Sequence, residues 1–386
     1  MGALTFFLIA GEPSGDSLGA ALMAGLKTLH PDVRFQGVGG PLMQAEGLTS
    51  LFPMQELSLM GVAEVLPKAI PLLRRVRETA EAVVAANPAA LITIDSPDFC
   101  LRVAKQVKAA RPDLRTIHYV APSVWAWRPG RAAKMAKVID HVLALLPFEP
   151  PYMTAAGMTC DFVGHPVVSE PLATLQESAA WDGPRPLVLA LPGSRRGEIT
   201  RLAPRFGAAL GLLAKDHPDL RVALPTLASV EPLVREITAG WPVRPEIVTD
   251  PAARRGAFAA ADVALAASGT VSLQLAANGV PMVIGYDMNP VSMWLARRLV
   301  KSGTVTLVNL VSDTRAVPEL LGADCTPEAL ARTLRATLND PQSQRSAMAL
   351  TMDRLGRGGE PPGLRAARSV LAHLAPGLTL EDPPRT

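Results

Sequence analysis

Short apolar runs separated by longer amphipathic stretches recur along most of this chain, and that rhythm leaves few folds open. Leu4–Ala10, Ala90–Ile94, Thr116–Val120 and Val142–Leu146 read as strands, with helices over Asp16–Leu29 and around Arg102–Ala110 between them. Strands without polar alternation are buried on both faces, which predicts a parallel sheet with helices on each side. The pattern pauses after Val163-Gly164-His165-Pro166, and the stretch to about Pro186 reads as a linker. It resumes at Leu187–Leu191, Arg221–Leu224, Val263–Ala266 and Pro281–Gly285, with closing helices over Pro327–Leu338 and Leu364–Leu374. The expected fold class is α/β, two doubly wound Rossmann-like domains facing across a cleft. Expected boundaries are an N-terminal domain over 1–164, a linker over 165–186, a second domain over 187–350, and a C-terminal helix and mobile tail over 351–386.

Composition removes several alternatives. With 48% hydrophobic residues in a chain of 386, there is ample material for buried cores. Lys and Arg total 38 against 35 Asp and Glu, a balance too even for a chain whose main partner is nucleic acid. Cys100, Cys160 and Cys325 are far apart, with no spacing for a zinc site or a disulfide framework, so a reducing compartment is expected. His118, His141 and His165 show no ligand spacing either, and no metal or other cofactor is expected. Met1–Ala10 is too short to cross a membrane, and it lacks the basic flank of a signal peptide.

In open α/β sheets, ligands bind where strand ends run into helix N-termini. After the first strand stand Gly11-Glu12-Pro13-Ser14-Gly15-Asp16, a tight turn without the spacing of a dinucleotide site. Ser14 or Asp16 as a helix cap is the plain structural alternative. Asp95-Ser96-Pro97-Asp98 follows a second strand. Asp95 at the strand's carboxyl end is placed to accept a proton from a hydroxyl, while Asp98 either assists it or sits at the positive end of the next helix. Trp125, Trp127 and Arg128 combine an apolar wall with a cationic rim suited to an amphiphilic sugar phosphate, unless the tryptophans are simply core.

The second half offers anion-binding chemistry. Gly193, Ser194, Arg195 and Arg196 precede a helix, which brings backbone donors, a dipole and forked cations to one place. Ser268, Gly269 and Thr270 form a second small-residue turn. Asn309, polar in an apolar surround, is either a ligand contact or a turn residue.

Taken together, AGEPSGD (10–16), GVGGP (37–41), IDSPDF (94–99), HYVAPSVWAWR (118–128), VGHP (163–166), LPGSR (191–195) and ASGT (267–270) resemble, in order, the motifs of the lipid-A-disaccharide synthases. The resemblance spans roughly residues 5 to 340 and rests chiefly on IDSPDF and HYVAPSVWAWR. It implies a metal-independent, inverting glycosyltransferase of GT-B fold. Such an enzyme joins UDP-2,3-diacylglucosamine to 2,3-diacylglucosamine 1-phosphate, giving the lipid A disaccharide 1-phosphate and UDP. It would work in the cytoplasm, peripheral to the inner face of the cytoplasmic membrane. The implied base is Asp95, with Glu12 and Asp98 as alternates. UDP would contact Ser194, Arg195, Arg196, Ser268, Gly269, Thr270, Gln274 and Asn309, and the acceptor or lipid side would use Ser14, Trp125, Trp127 and Arg128. Two positions depart from the family pattern: Gln274 stands where a glutamate is usual, and Gly322 where glutamine often follows.

Met60–Arg77 mixes leucines with Lys68, Arg74, Arg75 and Arg77, a composition that suits an anionic leaflet or an ordinary core helix with a basic outer face. Pro67 and Pro71 are expected to divide it into short pieces. Two other readings compete with transfer, a UDP-sugar epimerase of the same architecture and a non-catalytic nucleotide-sugar binder.

Overall fold

Two parallel sheets organise the computed structural model, which describes residues 4–57, 65–124, 130–287 and 303–374. The chain divides into one unit of residues 1–166 plus 358–386 and a second unit of residues 167–357. In the first unit the strands are β1 (Thr5–Ala10), β2 (Arg34–Val38), β3 (Thr49–Ser50), β4 (Ala90–Ile94), β5 (Thr116–Tyr119), β6 (His141–Ala144) and β7 (Thr159–Phe162). Their order across the sheet is β3-β2-β1-β4-β5-β6-β7. In the second unit they are β8 (Leu187–Leu191), β9 (Arg221–Pro225), β10 (Glu246–Val248), β11 (Val263–Ala266), β12 (Met282–Tyr286) and β13 (Glu319–Leu321), ordered β10-β9-β8-β11-β12-β13. Every pairing is parallel.

Alternation along β1 shows why these runs are strands. Phe7 and Ile9 pack on the helices of one face, while Phe6, Leu8 and Ala10 pack on those of the other. A strand buried on both sides needs no polar alternation, only helices to cover it. Each sheet reverses its order once, between β1 and β4 in the first unit and between β8 and β11 in the second. At such a switch point the connections leave in opposite directions and open a crevice at the carboxyl ends of the strands.

Several expectations are corrected. The first helix begins at Pro13, not Asp16, because proline at a helix start gives up no hydrogen bond. The helix over Val65–Ala86 runs 22 residues through Pro67 and Pro71 rather than breaking. Pro67 lies in the first turn, where amides have no helical acceptor to lose, so Pro71 alone removes a bond from a long helix. Residues 165–186 contain a 3-10 turn at Pro166–Ser169 and a helix at Leu175–Ala179, capped reciprocally by Thr174 and Glu177. Glu177 also pairs with Arg255, and the Trp181 indole donates to the Ala253 carbonyl at 3.0 Å, so residues 167–186 belong to the second unit.

The helix over Pro362–Ala372 returns to the first unit and lies against the helix over Pro13–Leu29. The two come so close that a Cβ on Gly25 would stand 2.6 Å from the Gly363 carbonyl oxygen. The Arg365 guanidinium donates to the Phe162 carbonyl at 2.8 Å, and the Ser369 hydroxyl donates to Asp161 at 2.7 Å. His141 Nε2 is 2.9 Å from that hydroxyl, and the His141 and His373 rings stack at 3.8 Å. His141, Asp161 and His373 are thus gathered although sequence spacing gave no sign of it. These contacts latch the last helix onto β6 and β7. The three cysteines are free thiols.

Candidate active site

At the first switch point, β1 runs into Gly11 and Glu12, and its neighbour β4 runs into Asp95 and Ser96, with Ala10 registered against Ile94. Glu12 occupies the N-cap position of the helix over Pro13–Leu29 and is exposed. Ser14 is exposed in that helix's first turn. Asp95 is half-buried and its amide closes the ladder onto the Tyr119 carbonyl at 3.0 Å. Asp98, also exposed, stands in the first turn of the helix over Pro97–Ala110, which favours its role as a partner of the helix dipole. Burial first, and then the charge of Asp95, push the Cys100 thiol far above its ordinary range, so this cysteine is an inert core residue.

The backbone here is strained. Asp95, Ser96 and, just past the end of β5, Val120 have φ of 50°, 42° and 84°. Non-glycine residues held in the left-handed region cost roughly 1–3 kcal/mol each and gather at functional sites. Sequence reading found Asp95 but had no signal for this strain.

Asp16 has a structural task. It is buried, and its carboxylate accepts from the amides of Gly40 at 2.9 Å and of Leu42 and Met43 at 3.0 Å. It therefore caps the short helix over Pro41–Ala45 from across the fold. Trp125, Trp127 and Arg128 lie outside the described residues, as does the segment Met60–Glu64. Of the cations beyond it, Arg75 is held by Glu56 and Glu78 and Arg77 by Glu81, so two of the basic charges are already compensated. Leu73 remains 51% exposed beside them.

In the second unit, β8 ends in Pro192-Gly193-Ser194-Arg195 before an 18-residue helix beginning at Arg196. Gly193 has φ 112°, and a Cβ there would meet the Glu198 carboxylate at 2.6 Å, so only glycine suits the turn. Ser194 and Arg196 are exposed, and the Arg195 side chain is 84% exposed, touching only Glu198 at 3.4 Å among the contacts described. Across the switch point, the Ala267 amide pairs with the Leu191 carbonyl at 2.8 Å, which sets Ser268, Gly269 and Thr270 beside the β8 turn. The Ser268 hydroxyl donates to the Val305 carbonyl at 3.1 Å, while Thr270 is exposed. Gly269 faces open space.

Gln274 lies between opposite charges. Arg254 donates to its amide oxygen at 2.8 Å, and its amide nitrogen donates to Glu170 at 3.1 Å. A carboxylate thus stands next to the position where the charge is missing. Gly322 sits at φ 63°, a conformation in which a glutamine would be strained. Asn309 requires correction. It is buried, donates to the Val317 carbonyl at 2.8 Å and to Glu319 at 3.2 Å, and accepts from the Val317 amide at 3.0 Å. Its hydrogen-bonding capacity is used internally, and it is a peg rather than a ligand contact. Glu319, which sequence reading missed, also receives the Thr306 amide at 2.9 Å and the Thr304 hydroxyl, binding the loop that enters the helix over Leu307–Ser312.

Comparison with known proteins bears on this arrangement. A profile described as lipid-A-disaccharide synthetase matches residues 6–361. The chain belongs to the lipid-A-disaccharide synthase family. A lipid-A-disaccharide synthase of Ruegeria pomeroyi is 62% identical over 382 residues, covering 95% of each chain. One from Rhodospirillum centenum is 48% identical, covering 96% of this chain and 95% of that one. Among solved structures, a putative UDP-N-acetylglucosamine 2-epimerase of Listeria monocytogenes superposes with a TM-score of 0.63 at 13% identity, covering 96% of each chain. MurG of Acinetobacter baumannii superposes with a TM-score of 0.57 at 14% identity, covering 96% of this chain and 98% of that one. These likenesses show the fold, while the family shows an enzyme of lipid A biosynthesis, a glycosyltransferase. Among the described residues, no helix is long and apolar enough to cross a membrane.

Proposed function

We propose that the chain joins UDP-2,3-diacylglucosamine to 2,3-diacylglucosamine 1-phosphate, with Asp95 as base and the β8 and β11 turns as the diphosphate cradle. The observation that carries this reading is the placement of its residues at the two switch points. A carboxylate from a strained strand end occupies one, and an exposed arginine beside two glycine turns occupies the other. In the proposed step the acceptor's primary hydroxyl attacks the donor's anomeric carbon from the side opposite the leaving group. The new C–O bond forms as the bond to UDP breaks, so the anomeric centre inverts. The hydroxyl proton passes to Asp95, and the electron pair of the broken bond leaves on the diphosphate. On this reading Arg195, Ser194 and the amides of residues 268–270 receive that charge, since fixed donors contribute most where charge grows. Proton transfer late in the step lets a carboxylate serve, provided the hydroxyl is held close. Glu12 and Asp98 remain the alternates.

The acylated substrates imply contact with the inner membrane face, and Leu73 among arginines is the described part of the surface we assign to it. Serine replacement at Leu73 should lower co-flotation with anionic liposomes, and unchanged flotation would dismiss the patch. Purified protein mixed with both acylated substrates should release UDP only when the acceptor is present. Donor isomerised without release would identify an epimerase, and neither product would identify a binder.

A further inference from the structure

Ser96 breaks the rules of its own position. Serine at a helix N-cap ordinarily takes an extended conformation, and its hydroxyl accepts an amide of the first turn. Ser96 caps the helix over Pro97–Ala110 with φ 42° and ψ 53°, and its hydroxyl makes no capping bond. Instead the side chain turns under the strand ends. A Cβ added to Gly11 would stand 2.6 Å from Ser96 Oγ, so the hydroxyl rests directly on the exit of β1. Ser96 is 3% exposed, and its hydroxyl has no hydrogen-bond partner among the described residues. The residue before it, Asp95, shares the left-handed backbone at φ 50°. A missing cap, an unpartnered buried hydroxyl and two left-handed residues in succession all disfavour this turn, and all converge beside one carboxylate. Local violations that agree in place mark function rather than error.

We infer that Ser96 is a positioning residue: wedged against Gly11, it confines the turn to the strained form that projects the Asp95 carboxylate from the strand end. This rests on the reading of Asp95 as the base. The relaxed alternative is available locally, since rotation of Ser96 to an extended backbone would let its hydroxyl cap the helix and would re-aim Asp95. The contact with Gly11 blocks that rotation only while residue 11 lacks a side chain and residue 96 keeps its own.

The test is a double-mutant cycle with thermal melting and steady-state kinetics on the full chain. Ser96→Gly releases the wedge and tolerates the left-handed backbone, so melting temperature should hold or rise while kcat falls about tenfold and KM for both substrates stays within about twofold. Gly11→Ala, which pushes the hydroxyl out of its seat, should lower kcat in the same way. The double variant should be no slower than the worse single variant, because both break one contact. A Ser96→Gly protein with unaltered kcat, a parallel loss of kcat and melting temperature, or additive effects of the two substitutions would each overturn the inference. Asp95→Asn measured alongside separates the two levels: full activity in that variant sinks the base assignment itself, whatever Ser96 does.

Discussion

Removing the Asp16 carboxylate strands three amides, those of Gly40, Leu42 and Met43. Asp16→Ala should therefore destabilise the first unit by roughly 2–4 kcal/mol, read as a lower urea midpoint. Gln274 carries a different lesson. Its amide satisfies a cation and an anion together, and Gln274→Glu would set a second carboxylate against Glu170 at the 3.1 Å where a hydrogen bond now stands. Restoring the family's usual glutamate should accordingly raise the donor KM rather than lower it, measured by initial rates at saturating acceptor. Asn309 shows where residue-level reading fails. Its partners Val317 and Glu319 lie eight and ten positions on, the latter on β13, and nothing local to Asn309 reveals them.

At the scale of elements, the C-terminal helix depends on small residues. Gly25→Val would drive a branched side chain into the Gly363 backbone, and we expect that helix to detach with a loss of about 2 kcal/mol or more. Faster amide exchange confined to residues 362–372 would report it, and unchanged protection there would refute it. Strands were the most legible elements. Ala90–Ile94, Leu187–Leu191 and Val263–Ala266 are predicted to the residue, because doubly buried strands are dominated by apolar residues without polar alternation. Helix starts were less legible, since proline reads as a breaker but serves as a first-turn residue at Pro13 and Pro67. The return of the last helix to the first unit was invisible, because it depends on Gly25, Gly363 and the His141 latch meeting across more than 200 positions. Strand ends made the candidate site legible: Asp95, Arg195 and Ser268 follow strands whose limits could be read. The strain at Asp95 and Ser96 is a backbone property that no residue type announces.

For the whole molecule, acid stability follows from buried histidines. Burial holds His118 near a pKa of about 4, and burial together with His373 and Arg115 holds His141 near about 4. Both are neutral when folded and take up protons more readily once unfolded. Their contribution is complete above the ordinary histidine value of about 6.5 and is lost as pH falls from there towards 4, roughly 3 kcal/mol for each. Urea midpoints should therefore decline between those limits, before most carboxylates titrate, and a flat midpoint across that window would contradict the assignment.

The central claim of the proposed function is that Asp95 takes the acceptor's proton. Its most direct measurement compares wild type with Asp95→Asn for UDP binding by calorimetry and for acceptor-dependent UDP release. The account predicts matching UDP affinity and a transfer rate lower by about 100-fold or more. Transfer by Asp95→Asn at the wild-type rate would contradict it.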